Sequence, residues 1–230
     1  MTNLKIIKGN IFTSTANVLV NTVNCVGVMG AGIALEFRLR YPNMFLEYVE
    51  LCKSHQINIG SLWLYKSEKT WILNFPTKID WKYPSKESYL HAGLKYFTEH
   101  FKILGIESVA FPLLGSQKGG LDPKRSLQIM TSYLDKLSIP VEIYEYDSKA
   151  SDDIYLKFKL EFSKINDQDL ALQSGIRSNY LTLIRNALND PNICQLNQLA
   201  KIQGIGDKTL EKAFRFIINE KKNIQTGFDY

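Results

Sequence analysis

Twice in the first half of this chain an apolar run gives way to a glycine-rich turn and then to a helix start. The first is Val18-Leu19-Val20-Asn21-Thr22-Val23-Asn24, running into Cys25-Val26-Gly27-Val28-Met29-Gly30-Ala31-Gly32-Ile33-Ala34. The second is Phe111-Pro112-Leu113-Leu114-Gly115-Ser116-Gln117-Lys118-Gly119-Gly120-Leu121-Asp122, followed by Pro123. A strand that ends in such a turn and reopens as a helix is the unit of an α/β sheet.

The periodicity around these turns agrees. Leu4–Lys8, Val18–Thr22, Ser61–Lys66, Thr70–Phe75, Glu107–Leu114 and Val141–Tyr146 read as strands, with 61–66 and 70–75 paired through the turn at Lys66-Ser67-Glu68-Lys69. Ala31–Arg40, Met44–His55, Ser85–Leu104 and Pro123–Leu137 carry helical spacing. The alternation predicts a mixed sheet with helices on both faces and a ligand at the carboxyl ends of its strands. It stops near the polar stretch 147–153, which reads as a linker. Beyond it only helices are expected: 154–164, 178–188, 195–201 and 208–221, with no internal repeat.

Composition narrows the function classes. Of 230 residues, 45% are hydrophobic and 22% charged, which excludes a disordered, collagenous or coiled-coil chain. No apolar run is long enough to span a membrane, and the residues after Met1 form no secretory leader. The net charge of +5 permits an acidic partner without requiring one, and the excess is +4 in 1–150 and +1 in 151–230. Cys25, Cys52 and Cys194 are odd in number and widely spaced, which argues against a disulfide framework. His55, His91 and His100 are scattered, so no metal site is expected, and a reducing cytoplasm fits.

Glycines let a backbone approach a phosphate closely, and a helix N-terminus adds N–H donors and a favourable dipole. The spacing Gly27/Gly30/Gly32 is neither GxGxxG nor a P-loop, so one loop alone is equally a plain tight turn. Two such loops at strand ends can clamp the two phosphates of a dinucleotide-like ligand. Asn24 can donate and accept without adding charge, which suits a ribose hydroxyl.

The run from Gly9-Asn10-Ile11-Phe12 through Val20–Asn24 to Gly30-Ala31-Gly32-Ile33-Ala34 resembles a macrodomain, the ADP-ribose-binding α/β fold, over about residues 1–147. The second glycine loop matches that family's second phosphate loop. Asn74-Phe75-Pro76-Thr77-Lys78 and the Asn-Thr-Val-Asn form are most similar to the antitoxin macrodomains of DarT–DarG systems. Those antitoxins remove ADP-ribose from thymine bases in DNA, and a related eukaryotic glycohydrolase acts on ADP-ribosylated glutamate.

The resemblance implies a macrodomain at 1–147, with a mixed central sheet flanked by helices, followed by a small all-α domain at 151–230. It places Asn10, where macrodomains usually carry Asp, near the adenine, and Asn24 at the distal ribose. Gly30, Ala31, Gly32 and Ile33 line the diphosphate, and Ser116, Gln117, Lys118, Gly119 and Gly120 form the second loop. Ile11, Asn21, Thr77, Leu114, Gly115 and Leu121 complete the ADP-ribose-binding set. Where the antitoxin branch is expected to read Gly-Cys-Gly-Leu-Gly-Gly-Leu, this chain reads Gly115-Ser116-Gln117-Lys118-Gly119-Gly120-Leu121. Lys118 reaches a phosphate or simply faces solvent.

Lys78 matches the family's catalytic lysine. A neutral amine would attack the anomeric carbon and open the ribose to a Schiff base; an ammonium would polarise the scissile link and position Asn24. No Asp or Glu stands in the second loop before Leu121, which argues against carboxylate chemistry there. No metal or redox cofactor is implied. The implied reaction is release of ADP-ribose from modified bases in DNA. The alternatives are a reader that binds ADP-ribose without cleaving it, or a hydrolase of another derivative such as the 1″-phosphate or a protein adduct.

Three further features bear on a DNA partner. Trp81 with Lys82 and Lys86, next to Tyr83, suits base stacking and phosphate contact on a single strand; an ordinary loop with one buried aromatic is the plainer reading. Leu199–Ala213 resembles a helix-hairpin-helix element, in which the turn Gly204-Ile205-Gly206 would present backbone N–H groups to a phosphate. Lys208 and Lys212, with Lys201, would add contacts, and 198–222 carries six basic and three acidic residues. A hairpin that packs on the first domain or binds a protein is the alternative. Expected partners are thus ADP-ribose, ADP-ribosylated single-stranded DNA and a DNA ADP-ribosyltransferase toxin.

Overall fold

The computed structural model describes residues 3–223. The chain divides into two compact units, 1–146 and 147–230.

The first unit is a six-stranded sheet in the order β1-β6-β5-β2-β4-β3. Its strands are β1 (Leu4–Gly9), β2 (Val18–Val23), β3 (Trp63–Lys66), β4 (Trp71–Pro76), β5 (Val109–Pro112) and β6 (Val141–Tyr146). All pair in parallel except β3, which forms an antiparallel hairpin with β4 at the edge. The helices are α1 (Gly32–Arg40), α2 (Pro42–Lys53), α3 (Glu87–His100) and α4 (Pro123–Leu134). This is the mixed sheet flanked by helices that the sequence predicts.

Strand alternation sorts the core into two layers. Val18, Val20, Leu73, Phe75, Val109 and Phe111 point to one face, where Leu90, Leu94 and Phe97 of α3 and Ile129, Met130 and Leu134 of α4 cover them. Leu19, Val23, Ile72 and Ala110 point to the other, covered by Phe37 of α1 and Met44, Tyr48 and Cys52 of α2. Central β2 is buried on both faces, as its unbroken Val-Leu-Val run demands. On the first face the Phe75 ring lies against Gly93, in the middle of α3. A Cβ there would stand 2.2 Å from Phe75 Cζ, so the close approach requires glycine.

The expected helices run slightly long. The helix read to Leu104 ends at His100, because the chain turns at Gly105, whose φ is +73°. The helix read over 123–137 ends at Leu134. Its start is as expected: Asp122 accepts from Arg125 N at 2.8 Å and Pro123 occupies the first turn.

The second unit holds α5 (Tyr155–Lys164), α6 (Asp167–Ser174), α7 (Ser178–Leu188) and α8 (Asp207–Asn223). The segment read as helical at 195–201 is a 3₁₀ helix, Leu196–Lys201, capped by reciprocal bonds between Gln195 and Gln198. Two readings need correction. The stretch read as a linker is packed: Gln195 Nε2 donates to the carbonyls of Asp147 and Ala150, and Gln198 Nε2 to Ser148. Buried Asp152 accepts from the backbone of Ile154 and Leu196. The unit also contains a repeat. Gly175-Ile176 and Gly204-Ile205 are 204 − 175 = 29 residues apart, and each glycine takes a positive φ, +67° and +93°. Each isoleucine is buried, as are Leu181 and Leu210 five residues on. The helix starts match bond for bond: Tyr180 N and Leu181 N reach Arg177 O, and Thr209 N and Leu210 N reach Gly206 O.

Candidate functional site

The parallel ends of β2 and β4 continue side by side past the sheet. Thr77 N donates to Val23 O at 2.9 Å, Cys25 N to Ile79 O at 3.0 Å, and Cys25 Sγ to Lys78 O at 3.4 Å. Lys78 therefore enters directly beside the first glycine loop. Burial pushes the Cys25 thiol up to about 11, so it stays protonated and serves as a donor.

The first loop is built around Asn24. Its Oδ1 accepts from Val26 N at 3.0 Å and Val28 N at 3.2 Å, and its Nδ2 donates to Val28 O at 2.5 Å. The hydroxyl of Tyr48, on α2, donates to Asn24 O at 2.6 Å and to Asn24 Oδ1 at 3.2 Å. Burial raises the Tyr48 pKa, which keeps the phenol a donor. The Asn24 side chain thus shapes its own loop. Gly27 and Gly32 take φ of +80° and +59°, and Gly27 packs directly on Val49 and Cys52. Gly30 and Ala31 are exposed, and Ala31 leads extended into α1 with no side-chain cap on the helix, leaving the first turn's N–H groups at the loop.

Beneath the loop two buried amides face each other across β2 and β4. Asn21 Nδ2 donates to Asn74 Oδ1 at 2.9 Å, and Asn74 Nδ2 makes a long 3.5 Å bond to Trp63 O on the edge strand. Asn21 Oδ1 has no partner. At the end of β1, Asn10 is also buried; its Oδ1 accepts from Phe12 N at 3.1 Å and its Nδ2 has no partner. Ile11 and Phe12 begin the 3₁₀ turn after it, and the Phe12 ring packs at a tilt against Phe37 of α1, 4.9 Å between centres. Asn10 and Ile11 therefore stand next to the helix that the first loop opens.

The second loop is pinned at both ends. Leu114 O accepts from Ser126 Oγ at 2.6 Å, Ser116 Oγ donates to Leu113 O at 2.7 Å, and Leu121 N closes onto Gly115 O at 3.0 Å. Gly115, at φ +64°, fits so tightly that a Cβ would stand 2.7 Å from Leu121 Cδ1. Gln117 adopts φ +47°, a left-handed conformation in which a side chain is strained. The glycine expected there from the resemblance has this physical reason. Gly119 O accepts from Ser85 N at 2.8 Å, so the entry to α3 holds the loop from behind.

The two loops meet at Lys118. Its side-chain stem lies over Gly32, with Cγ 3.5 Å from where a Cβ would sit. Its carbonyl accepts from Lys78 Nζ at 2.6 Å, and Trp81 O lies 3.5 Å from the same amine. Desolvation lowers the Lys78 pKa. Trp81, Lys82 and Lys86 are all exposed on the segment that follows Lys78.

In the second unit Gly204 and Gly206 precede α8, and Lys208 is exposed. Lys212 Nζ, expected to face a phosphate, donates instead to Gly175 O within the unit. Tyr48, Asn74 and Ser85 are the residues that sequence reasoning missed. Tyr48 carried a signal only as one member of the helical stripe Met44, Tyr48, Cys52.

Among the described residues no group of three His, Cys, Asp or Glu side chains gathers to hold a metal, and no helix is long and apolar enough to cross a membrane. Known proteins give the arrangement a context. The Macro domain model matches residues 20–130. A DNA ADP-ribosyl glycohydrolase of Thermus aquaticus is 36% identical over 148 residues, covering 63% of this chain and 41% of that protein. A DNA ADP-ribosyl transferase–DNA ADP-ribosyl glycohydrolase fusion protein of Thermosipho africanus is 35% identical over 180 residues, covering 69% of this chain and 46% of that one. The chain thus spans less than half the length of these relatives. The solved macrodomain of Thermus aquaticus DarG superposes with a TM-score of 0.58 at 36% identity, covering 63% of this chain and 97% of that one. With that fold, two glycine loops at the strand ends and a lysine between them, the chain belongs to the macrodomain family.

Proposed function

We propose that this protein is an ADP-ribosyl glycohydrolase that releases ADP-ribose from modified, thymine-type bases in DNA. ADP-ribose lies with its adenine toward Asn10 and Ile11, its diphosphate between Gly30–Ile33 and Ser116–Gly120, and its distal ribose toward Lys78 and the Asn24 loop. The observation that carries this reading is the placement of the Lys78 amine between the two loops, 2.6 Å from the Lys118 carbonyl. The relatives named DNA ADP-ribosyl glycohydrolase support the substrate class.

Partial burial lowers the Lys78 pKa, the direction that a nucleophilic amine needs. Nζ attacks the anomeric carbon, and its bond to the base breaks. The base leaves with the electron pair and takes up a proton. The ring oxygen then opens from that carbon to give a Schiff base, and water hydrolyses it to ADP-ribose and the amine. The name of the Thermosipho africanus fusion protein supports a DNA ADP-ribosyltransferase toxin as partner. The Gly204 turn and Lys208 of the second unit would add weak, salt-sensitive backbone contacts.

The test is incubation with single-stranded DNA carrying ADP-ribosylated thymidine. Wild type should release ADP-ribose and Lys78→Ala should not, and borohydride should trap wild type on the substrate. Binding of ADP-ribose without release from any adduct would make the protein a reader.

A further inference from the structure

Around Lys78 the surface is apolar where a cleft for a charged nucleotide has no need of it. Val26 and Val28 on the first loop are 47% and 37% exposed, and Ile79, Trp81 and Tyr83 are 54%, 52% and 66% exposed. The two segments run side by side, since the Cys25–Ile79 backbone bond ties them together, and the Trp81 carbonyl lies 3.5 Å from the Lys78 amine. Exposed apolar side chains grouped on neighbouring segments mark a binding surface. The aromatics are also held in place: Asp80 Oδ1 accepts from Lys82 N at 2.9 Å, and Tyr83 N returns to Asp80 O at 3.2 Å.

Charge selects the occupant. Residues 78–86 carry Lys78, Lys82 and Lys86 against Asp80 alone, and the Asp80 carboxylate is turned onto its own backbone. Lys82 Nζ stands 5.6 Å from the Trp81 ring centre. Flat apolar rings beside cations fit a strand that offers base faces and phosphates together. The neighbouring acid, Glu87, is engaged by Arg125 at 2.9 and 3.0 Å.

Resting on the glycohydrolase reading, we infer that Ile79, Trp81 and Tyr83, with Val26 and Val28, form a stacking platform for the unpaired bases that flank the modified nucleotide. The platform reads base faces and not base edges, because none of its five side chains carries an amide, guanidinium or carboxylate. Every base has such a face, so the flanking sequence makes little difference.

The experiment measures turnover by the full-length protein on one adduct in three settings: a mononucleotide, a single strand and a duplex. Trp81→Ala and Tyr83→Ala should each raise KM for the strand about tenfold, with kcat within about twofold. KM for the mononucleotide should move less than about twofold. Trp81→Phe should recover most of the strand KM, the duplex should be the poorer substrate, and exchanging the flanking bases should change kcat/KM less than about threefold. Equal losses on mononucleotide and strand would make the aromatics structural and overturn the platform; strong dependence on flanking bases would overturn reading by faces. If wild type releases nothing from any adduct, the glycohydrolase reading falls by itself. Anisotropy of an unmodified oligothymidylate then decides the platform: weaker binding by Trp81→Ala keeps it, and unchanged binding removes it. Loss of binding to a transferase protein, with oligothymidylate binding unchanged, would reassign the surface to a protein partner.

Discussion

The amine of Lys78 donates to the backbone carbonyl of Lys118 at 2.6 Å, forty residues away on the other glycine loop. The residue proposed for the chemistry is thus held by the loop proposed for the phosphates. Removing the amine should separate the two functions. Lys78→Ala should lower turnover by about 10³-fold or more, while ADP-ribose affinity by calorimetry changes less than tenfold.

The pH profile follows from the same burial. A lysine whose pKa is lowered from 10.5 by desolvation is neutral over a wider range. With the neutral amine as nucleophile, kcat should rise with pH and reach its plateau below the range of an ordinary lysine. A rate that falls as pH rises would make the ammonium the active form. Folding should respond in the same direction, because the unfolded chain binds this proton more tightly, so the Lys78 contribution to stability grows with pH up to the unfolded value.

Tyr48→Phe tests the support of the first loop. It leaves Asn24 O without its hydroxyl donor, while Oδ1 keeps the Val26 and Val28 amides, at a cost of about 1–3 kcal/mol. A lower Tm and weaker ADP-ribose binding are expected together. A lower Tm with unchanged binding would show that the loop does not need this bond.

Gln117→Gly should stabilise the protein. Relief of the left-handed φ of +47° gains about 1–2 kcal/mol, and the extra freedom of glycine in the unfolded chain returns about 0.5–1. The net gain should raise Tm by a few degrees in calorimetry.

Gly93→Ala runs against helix propensity, which favours alanine by about 1 kcal/mol. The methyl would stand 2.2 Å from Phe75 Cζ, and the overpacking should cost about 1–3 kcal/mol in urea unfolding. Phe75→Leu should recover part of the loss in the double mutant.

The sheet and its helices were legible because each has a period. Val18–Val20 shows as a central strand, and Leu90, Leu94 and Phe97 lie on one helical face. α6 was not legible by that route, since eight residues give barely two turns; its signals were the Asn166 cap and Gly175. The repeat at Gly175 and Gly204 escaped because glycine, isoleucine and leucine alone recur, and only the matching backbone bonds make it plain. In the site, the loops and Lys78 could be read from residues close in sequence. The hold of Tyr48 on Asn24 could not, because it joins a core helix to a loop through a hydroxyl that an apolar stripe does not announce.

The amide pair under the first loop has its polarity set from outside. The Trp63 carbonyl on the edge strand accepts from Asn74 Nδ2, which turns Asn74 Oδ1 toward Asn21 and leaves Asn21 Oδ1 facing onward. The peptide orientation of a rim strand thereby fixes whether the molecule's interior offers a proton acceptor or a proton donor beneath the cleft. A change in the β3–β4 hairpin that withdrew that carbonyl would let both amides invert, and the unpaired atom buried beneath the first loop would change from acceptor to donor.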